Sequence, residues 1–574
     1  MKIIEVERLT GLSQKAIRLY EGKGLIKVLR DSNGYRNYTE KDIEALKSIK
    51  LFRSIGISIT DIRLYISGVI SLEELIDKRK SQILKDSGRG SEQYIICESI
   101  IKMGGEDVVG SKCDFTENED DNTAARGSLS VGIDIGTTTI SAVVIDIDSR
   151  ERVETFSLPH NLYIRSDIYS EQNANEIINK AKKLLYHILD RYNNVVSIGV
   201  TGQMHGIVYI NENGEAVSNL INWQDKRADQ PLSDGISTCE HIRRITGDSI
   251  ATGYGIATHY YNIANGIVPY DAVSFCSIMD LFIINICGLK RVRTHTSIAA
   301  SFGLFDVKSS CFKKEKLSLI GIDNSFLPAV TDKNDIVGKC KNIPVSVAIG
   351  DNQASFLGSI KENSTSALVN IGTGSQISVI SEYCDHDDEL ELRPFIDGKY
   401  LMCGSALCGG RSYSMLESFF RSYTVSAGMS ESSQYRIMND LARRTYDKGE
   451  VGLTVEPFFY GKRSDPTLRG TIKMIDHNNF TPEGLILGIL KGMCSELYEM
   501  YKKIPEKREF IIASGGAARR IDVMKNLICD EFELPTYVNM TEEEASVGVA
   551  LYSAFAIGKI NYNNGFFEYI SYSK

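Results

Sequence analysis

Ser130-Val131-Gly132-Ile133-Asp134-Ile135-Gly136-Thr137-Thr138-Thr139 and Leu368-Val369-Asn370-Ile371-Gly372-Thr373-Gly374-Ser375 carry the same pattern, with Gly136 and Gly372 lying 236 positions apart. Each begins as an alternating apolar strand and enters an Ile-Gly-Thr turn. Each continues as a second strand, Ile140-Ser141-Ala142-Val143-Val144 in the first case and Gln376-Ile377-Ser378-Val379-Ile380 in the second. One Gly-Thr turn alone reads equally well as a plain hairpin. Repetition of the whole unit predicts an internal duplication and two similar lobes facing a cleft. Glycines and small hydroxyl residues at such turns let backbone N–H groups close around an anion. Gly136, Thr137 and Thr138 on one side and Gly372, Thr373 and Gly374 on the other therefore suit the β- and γ-phosphates of a nucleotide.

A third glycine-rich element follows the strand Glu509-Phe510-Ile511-Ile512-Ala513. It reads Ser514-Gly515-Gly516-Ala517-Ala518 and opens a helix near Arg520. Strand, Gly-Gly and helix N-terminus in succession let the backbone approach a nucleotide closely. The Walker A lysine motif is absent, which excludes the P-loop class. Val345-Ser346-Val347-Ala348-Ile349 reads as a buried strand ending at Gly350-Asp351-Asn352-Gln353-Ala354. An acid there sits where the lobes meet, and phosphoryl transfer needs one carboxylate and a magnesium ion beside the acceptor hydroxyl. Taken alone, Asp351 is equally a helix N-cap.

Two stretches bear polar groups suited to a sugar. Thr201-Gly202-Gln203-Met204-His205-Gly206 lies between strands, and Asn222-Trp223-Gln224-Asp225-Lys226-Arg227 follows a hairpin. Gln203, His205, Asp225 and Arg227 can satisfy many hydroxyls, and Trp223 offers an apolar face. Individually, His205 and Trp223 also read as packing residues.

The N-terminal region is of another kind. Residues 1–90 hold 18 lysines and arginines against 12 acids, although the whole chain carries −9. A short helix at 3–9, a turn, a second helix from Gln14 capped by Ser13, and a hairpin around Asn33-Gly34 follow in order. Helices about Glu40–Ile55 and Thr60–Ser67 complete a winged helix-turn-helix, whose second helix enters the DNA major groove. Between Gly104 and Ser128 stand seven acids and two bases with no apolar periodicity, which predicts a flexible linker. The expected division is 1–70 for the DNA-binding head, 71–128 for a helical segment and acidic linker, 129–362 for the first lobe and 363–574 for the second. Twelve cysteines without a C-x-x-C pair read as reduced thiols, and no apolar run or leader is long enough for a membrane, so a cytoplasmic protein is expected.

Two resemblances sharpen these readings. Ile17-Arg18-Leu19-Tyr20-Glu21 with Gly24-Leu25-Ile26 and Asn33-Gly34-Tyr35-Arg36-Asn37-Tyr38 resembles the MerR family of transcription regulators. That resemblance implies DNA contacts by Arg18, Tyr20, Tyr35 and Arg36. The family's dimers use a long helix next. Here Gly88 and Gly90 follow Ser71–Lys85, so a homodimer is admitted but not required. From about 129 to 557, Asp134-Ile135-Gly136-Thr137-Thr138, Gly350-Asp351-Asn352-Gln353, Gly372-Thr373-Gly374, Ser514-Gly515-Gly516-Ala517 and Glu544-Ala545-Ser546-Val547-Gly548 resemble the FGGY carbohydrate kinases.

The second resemblance implies the α/β actin/Hsp70-like fold of two RNase H-like lobes, with ATP and Mg²⁺. Asp351 would be the general base, Asp134 would place Mg²⁺, and Gly515, Gly516 and Ala517 would pack on adenosine. Gly-Gln-Met-His-Gly with Trp-x-Asp-x-Arg is similar to the ketose branch, and puts Met204 and Asn352 among the substrate contacts. Leu392-Arg393-Pro394-Phe395, Leu407 to Tyr413 and Phe459 to Pro466 resemble sedoheptulokinases more than xylulokinases. His259 stands where Lys is common, and Lys473-Met474 departs from the family's pattern. The expected activity is phosphorylation of a ketose, with sedoheptulose first. The alternative is a sugar-responsive regulator whose kinase-like body only senses its ligand.

Overall fold

The computed structural model describes residues 1–30, 36–86, 93–94, 96–97, 100, 127–160, 163–361, 365–384, 389–429, 431–449, 453–462, 465, 467–561 and 569–573. Tyr35, the tip of the wing, the acidic stretch 101–126 and Arg463, Ser464 and Pro466 lie outside the described residues. The chain forms two compact units. One comprises Met1–Arg126, Lys183–Tyr192 and Glu417–Tyr435, and the other Gly127–Lys182, Asn193–Leu416 and Arg436–Lys574.

The head begins with helices Ile3–Thr10 and Gln14–Gly22. The Ser13 hydroxyl accepts from the Ala16 N–H at 3.2 Å and caps the second of them. Strands Leu29–Arg30 and Arg36–Asn37 pair antiparallel as the root of the wing. At Thr39 a reciprocal capping box with Asp42 starts helix Glu40–Ser54. Ser58 caps Ile59–Ile66, and Leu72–Asp86 follows. Val6, Ile17, Leu25, Tyr38, Leu46, Phe52 and Ile62 close the core.

Five strands of the body recur in one order and orientation. In the first lobe, Leu129–Ile135 runs antiparallel to Thr139–Asp146, which runs antiparallel to Glu151–Pro159. On its other side Leu129–Ile135 lies parallel to Val195–Gly202, which lies parallel to Ile343–Ser346. In the second lobe, Ser366–Ile371, Ser375–Ser381 and Tyr400–Ala406 repeat the antiparallel trio. Phe510–Ser514 and Thr536–Asn539 repeat the parallel pair. Edge strands enlarge the sheets to six and seven strands. The expected duplication is thus a pair of RNase H-like lobes, and each Gly-Thr turn closes the central hairpin of its sheet.

Helix Glu544–Ala556 joins the lobes from beneath, with ten of its thirteen residues buried. It approaches at backbone distance. A Cβ on Gly132 would overlap the Ser546 carbonyl, one on Gly199 that of Val549, and one on Gly548 that of Ala354. Only glycine allows such contact. The Ser130 hydroxyl donates to Ala550 O at 2.7 Å and lies 2.9 Å from both Ser197 and Ser553, which satisfies the polar groups sealed into this layer. Among the described residues, no helix is long and apolar enough to cross a membrane.

Candidate active site

Strand pairing places the two acids. Asp134 stands opposite Ser141 and Thr201 near the end of the first lobe's central strand. The Thr201 hydroxyl donates to Ile349 O at 2.8 Å, which fixes the end of the segment that delivers Asp351. Asp351 is the first residue of helix Asp351–Leu357, behind Gly350 as N-cap. Burial pushes its carboxyl up to about 6, against the pull of Arg393 and of backbone N–H groups. Burial, helped by the charges of Asp351 and Glu543, pushes Asp134 up to about 8. Asp134 Oδ1 is buried and has no hydrogen-bond partner.

The two Gly-Thr turns adjoin this centre. Gly136 N–H donates to Thr139 O at 2.9 Å, and His160 Nε2 lies 3.0 Å from Gly136 O. Trp223 Nε1 donates to Thr137 Oγ1 at 3.1 Å, so the Thr137 hydroxyl is engaged from the sugar side, while Thr138 is exposed. In the second lobe, Gly410 N–H and Arg411 N–H donate to Gly372 O and Thr373 O at 2.8 and 3.0 Å. Gly515, at φ 88°, lies against Ile371 O, which a Cβ would approach to 2.6 Å. Gly516 differs, because a Cβ there meets no atom within 4 Å. Space is open beside Gly516, and Thr373 and Gly374 are exposed.

On the sugar side, Gln203 N–H donates to Ile135 O and its Nε2 to Gln172 Oε1, both at 2.9 Å. Its own Oε1 is buried without a partner. Met204 packs against Gly350, next to Asp351. His205 has φ 72°, its Nδ1 lies 2.8 Å from Ser301 O, and its ring stacks on Tyr254 at 4.4 Å. Trp223 is 45% exposed. Asp225 and Arg227 form a buried, hydrogen-bonded pair. Arg227 Nε donates to Asp225 Oδ1 at 2.7 Å, and its other nitrogens reach Asn262 Oδ1 at 2.9 Å and Glu171 Oε1 at 2.6 Å. Asp225 also accepts from Ser170 N–H at 2.8 Å. Both are buried, and they are held by each other and by Asn262, Glu171 and Ser170.

The second lobe adds groups of its own. Registers Gln376↔Ser405, Ser378↔Cys403 and Glu391↔Cys403 align these side chains on one sheet face, which continues to Arg393. Asn352 Nδ2 donates to Gln376 Oε1 at 2.8 Å, and Arg393 donates to Glu391 at 2.6 Å. A cavity of about 860 Å³ opens along this face, lined by Tyr254, Glu391, Cys403 and Ser405 among others.

Residues 129–358 match the model of the FGGY family of carbohydrate kinases, N-terminal domain. Residues 1–69 match that of the MerR HTH family regulatory proteins. Over 478 residues the chain is 24% identical to human sedoheptulokinase, covering 75% of this chain and 97% of the relative. Xylulose kinase of Staphylococcus xylosus is 24% identical over 453 residues, covering 74% and 90%. Among solved structures, the ligand-bound xylulose kinase from Lactobacillus acidophilus has a TM-score of 0.67 at 19% identity, over 78% of this chain and 93% of that one. A Plasmodium falciparum glycerol kinase with ADP has a TM-score of 0.63 at 19% identity, over 76% and 90%. These structures share the fold.

The body is an FGGY carbohydrate-kinase domain, and the head is a MerR-type helix-turn-helix domain.

In the MerR-type head, Arg18 is exposed on helix Gln14–Gly22, and Arg36 Nε donates to Glu21 at 2.5 Å. Tyr20, expected to contact DNA, is only 7% exposed and belongs to the core instead. In the FGGY body, Arg393, Gln376, Glu543 and Tyr254 were not singled out as site residues. Arg393 lies in a stretch already notable for its resemblance, and Gln376 stands two residues beyond the second Gly-Thr turn. The fold sets the charge of Arg393 beside Asp351 and that of Glu543 beside Asp134, and it brings Gln376 to Asn352 and Tyr254 to His205.

Proposed function

We propose that the body transfers the γ-phosphoryl group of ATP to a hydroxyl of a ketose, sedoheptulose first, and that the head binds double-stranded DNA. One observation carries the kinase reading: Asp351, raised to about 6, opens a helix with Asn352 beside it and the charge of Arg393 acting on it. Ionised above that pH, Asp351 accepts the proton of the attacking hydroxyl. Arg393 keeps it ionised and, with Asn352, orients the acceptor. Gly136 to Thr138 and Gly372 to Gly374 present their turns to the phosphates, and Gly515, Gly516 and Ala517 flank the adenosine.

Asp134, with its orphaned Oδ1, fits Mg²⁺. Among the described residues no group of three or more metal ligands is assembled, and Mg²⁺ held by one or two carboxylates and substrate phosphates needs none. When bound, Mg²⁺ neutralises charge on the transferring phosphoryl group. Gln203, Met204, His205 and Trp223 are the first-lobe contacts for the sugar.

Sedoheptulose ranks first because its human kinase is the relative matched over 97% of its length, and xylulose is the runner-up. A ketose panel with ATP and Mg²⁺, read as ADP release, tests this. Sedoheptulose should give the highest kcat/KM, and equal rates with and without every ketose would refute the kinase reading. The head favours a second reading, a regulator whose body senses sugar. That reading predicts ketose binding without ADP release.

A further inference from the structure

The amide of Asn352 and that of Gln376 face each other reciprocally. Asn352 Nδ2 donates to Gln376 Oε1 at 2.8 Å, and Gln376 Nε2 reaches Asn352 Oδ1 at a longer 3.3 Å. Gln376 Nε2 also donates to Ser378 Oγ at 3.0 Å, and Cys403 Sγ lies 3.6 Å from Asn352 Oδ1. Asn352 belongs to the helix that opens with Asp351. Gln376 stands two residues beyond Gly374, on the strand that leaves the second phosphate turn. Both side chains are only partly buried, and Ser405 and Cys403, on the same sheet face, line the cavity.

A strand that needed only to pack would present apolar groups on this face. Ser375–Ser381 instead turns Gln376 and Ser378 to the cleft, and keeps Ile377 and Val379, both fully buried, on the other side. A polar row beside a general base is a recognition surface. Two amides that satisfy each other can exchange their weaker bond for a hydroxyl that both donates and accepts.

We propose that Gln376, contributed by the second lobe, is a sugar-recognition residue that acts with Asn352. The pair reads the hydroxyl on the carbon next to the one phosphorylated. With Asp351 at the reacting hydroxyl, Asn352, next to it in the chain, and its partner Gln376 meet the hydroxyl beside it. The ligand class is therefore a vicinal diol, and the sugar site is complete only with the second lobe's strand in place. This rests on the ketose-kinase reading above. A site built to hydrogen-bond a hydroxyl discriminates strongly against the analogue that lacks it.

The test uses the full chain, ATP, Mg²⁺ and two substrates: the preferred ketose and its analogue lacking that neighbouring hydroxyl. Wild type should prefer the ketose at least tenfold in kcat/KM. Gln376→Leu should lose at least tenfold on the ketose, mostly in its KM, should barely distinguish the two substrates, and should leave the ATP KM within about twofold. Gln376→Glu, which keeps the acceptor and loses the donors, should retain part of the preference, and decides the matter if the leucine variant melts early. Preference equal to wild type in a folded variant overturns the proposal, and so does an ATP KM that rises in step with that of the ketose. Wild type that turns over no ketose removes the kinase reading, and this proposal with it.

Discussion

Two acids at the cleft are raised for the same first reason, burial, but their consequences differ. Asp351→Asn should keep sugar binding and lose on the order of 10²-fold or more in kcat. In wild type, kcat should fall as pH drops through about 6, where Asp351 takes up its proton. Asp134 shows itself in stability. Its carboxyl is higher in the folded chain, at about 8, than a free aspartate's, so the folded state holds the proton more tightly. The stabilisation is complete below the ordinary carboxylate range and is lost as pH rises through about 8. In magnesium-free buffer, Asp134→Asn should therefore melt increasingly above wild type as pH rises from 5 to 8, since the amide keeps no charge to bury. Parallel melting curves would contradict that. At this scale the sequence was informative where chemistry is local. The place of Asp351, at the start of a helix behind Gly350, was readable from a buried strand followed by a glycine. Asp225 and Arg227 looked like ligands because nothing local reveals that each neutralises the other. Tyr20 looked like a DNA contact because helical spacing alone does not tell a core ring from an exposed one.

The duplicated hairpin was the most legible element, because strand, turn and strand lie within fifteen residues and need no distant partner. The parallel strands beside each hairpin, such as Ser130 against Ser197 and Ile511 against Thr536, pair across tens of positions or more, and the bed of Glu544–Ala556 joins Gly132 to Ser546, so only the folded chain brings them together. Gly515 and Gly516 separate a structural from a functional glycine. A Cβ at Gly516 meets no protein atom within 4 Å, so Gly516→Val should change the melting temperature far less than Gly515→Val while the ATP KM rises strongly. Gly515→Val adds a strained φ of 88° and a clash with Ile371, so stability itself should fall. An unchanged nucleotide titration in Gly516→Val would remove that turn from the site. Beneath the cleft, Gly548→Val would drive a side chain into the Ala354 carbonyl and should cost about 3 kcal/mol or more, read from denaturant melts.

Across the whole molecule, a basic MerR-type head precedes an acidic kinase body. DNA binding should be salt-sensitive, with Arg18 and Arg36 among the main contacts, and should weaken when either becomes alanine. The sequence between Gly104 and Ser128, seven acids and two bases without apolar periodicity, predicts a linker that transmits little strain. Ketose with ATP should therefore change DNA affinity by no more than about tenfold, roughly 1.4 kcal/mol. Isotherms on a cognate promoter fragment, with and without both ligands, decide this, and a far larger shift would favour the sensor. The kinase claim itself is tested most directly by ADP release from the full chain with sedoheptulose, ATP and Mg²⁺, comparing wild type with Asp351→Asn. Sugar-dependent release in wild type, falling by on the order of 10² in the variant while sugar binding persists, is the expected result. Equal rates in the two proteins, or release that ignores the sugar, would contradict it.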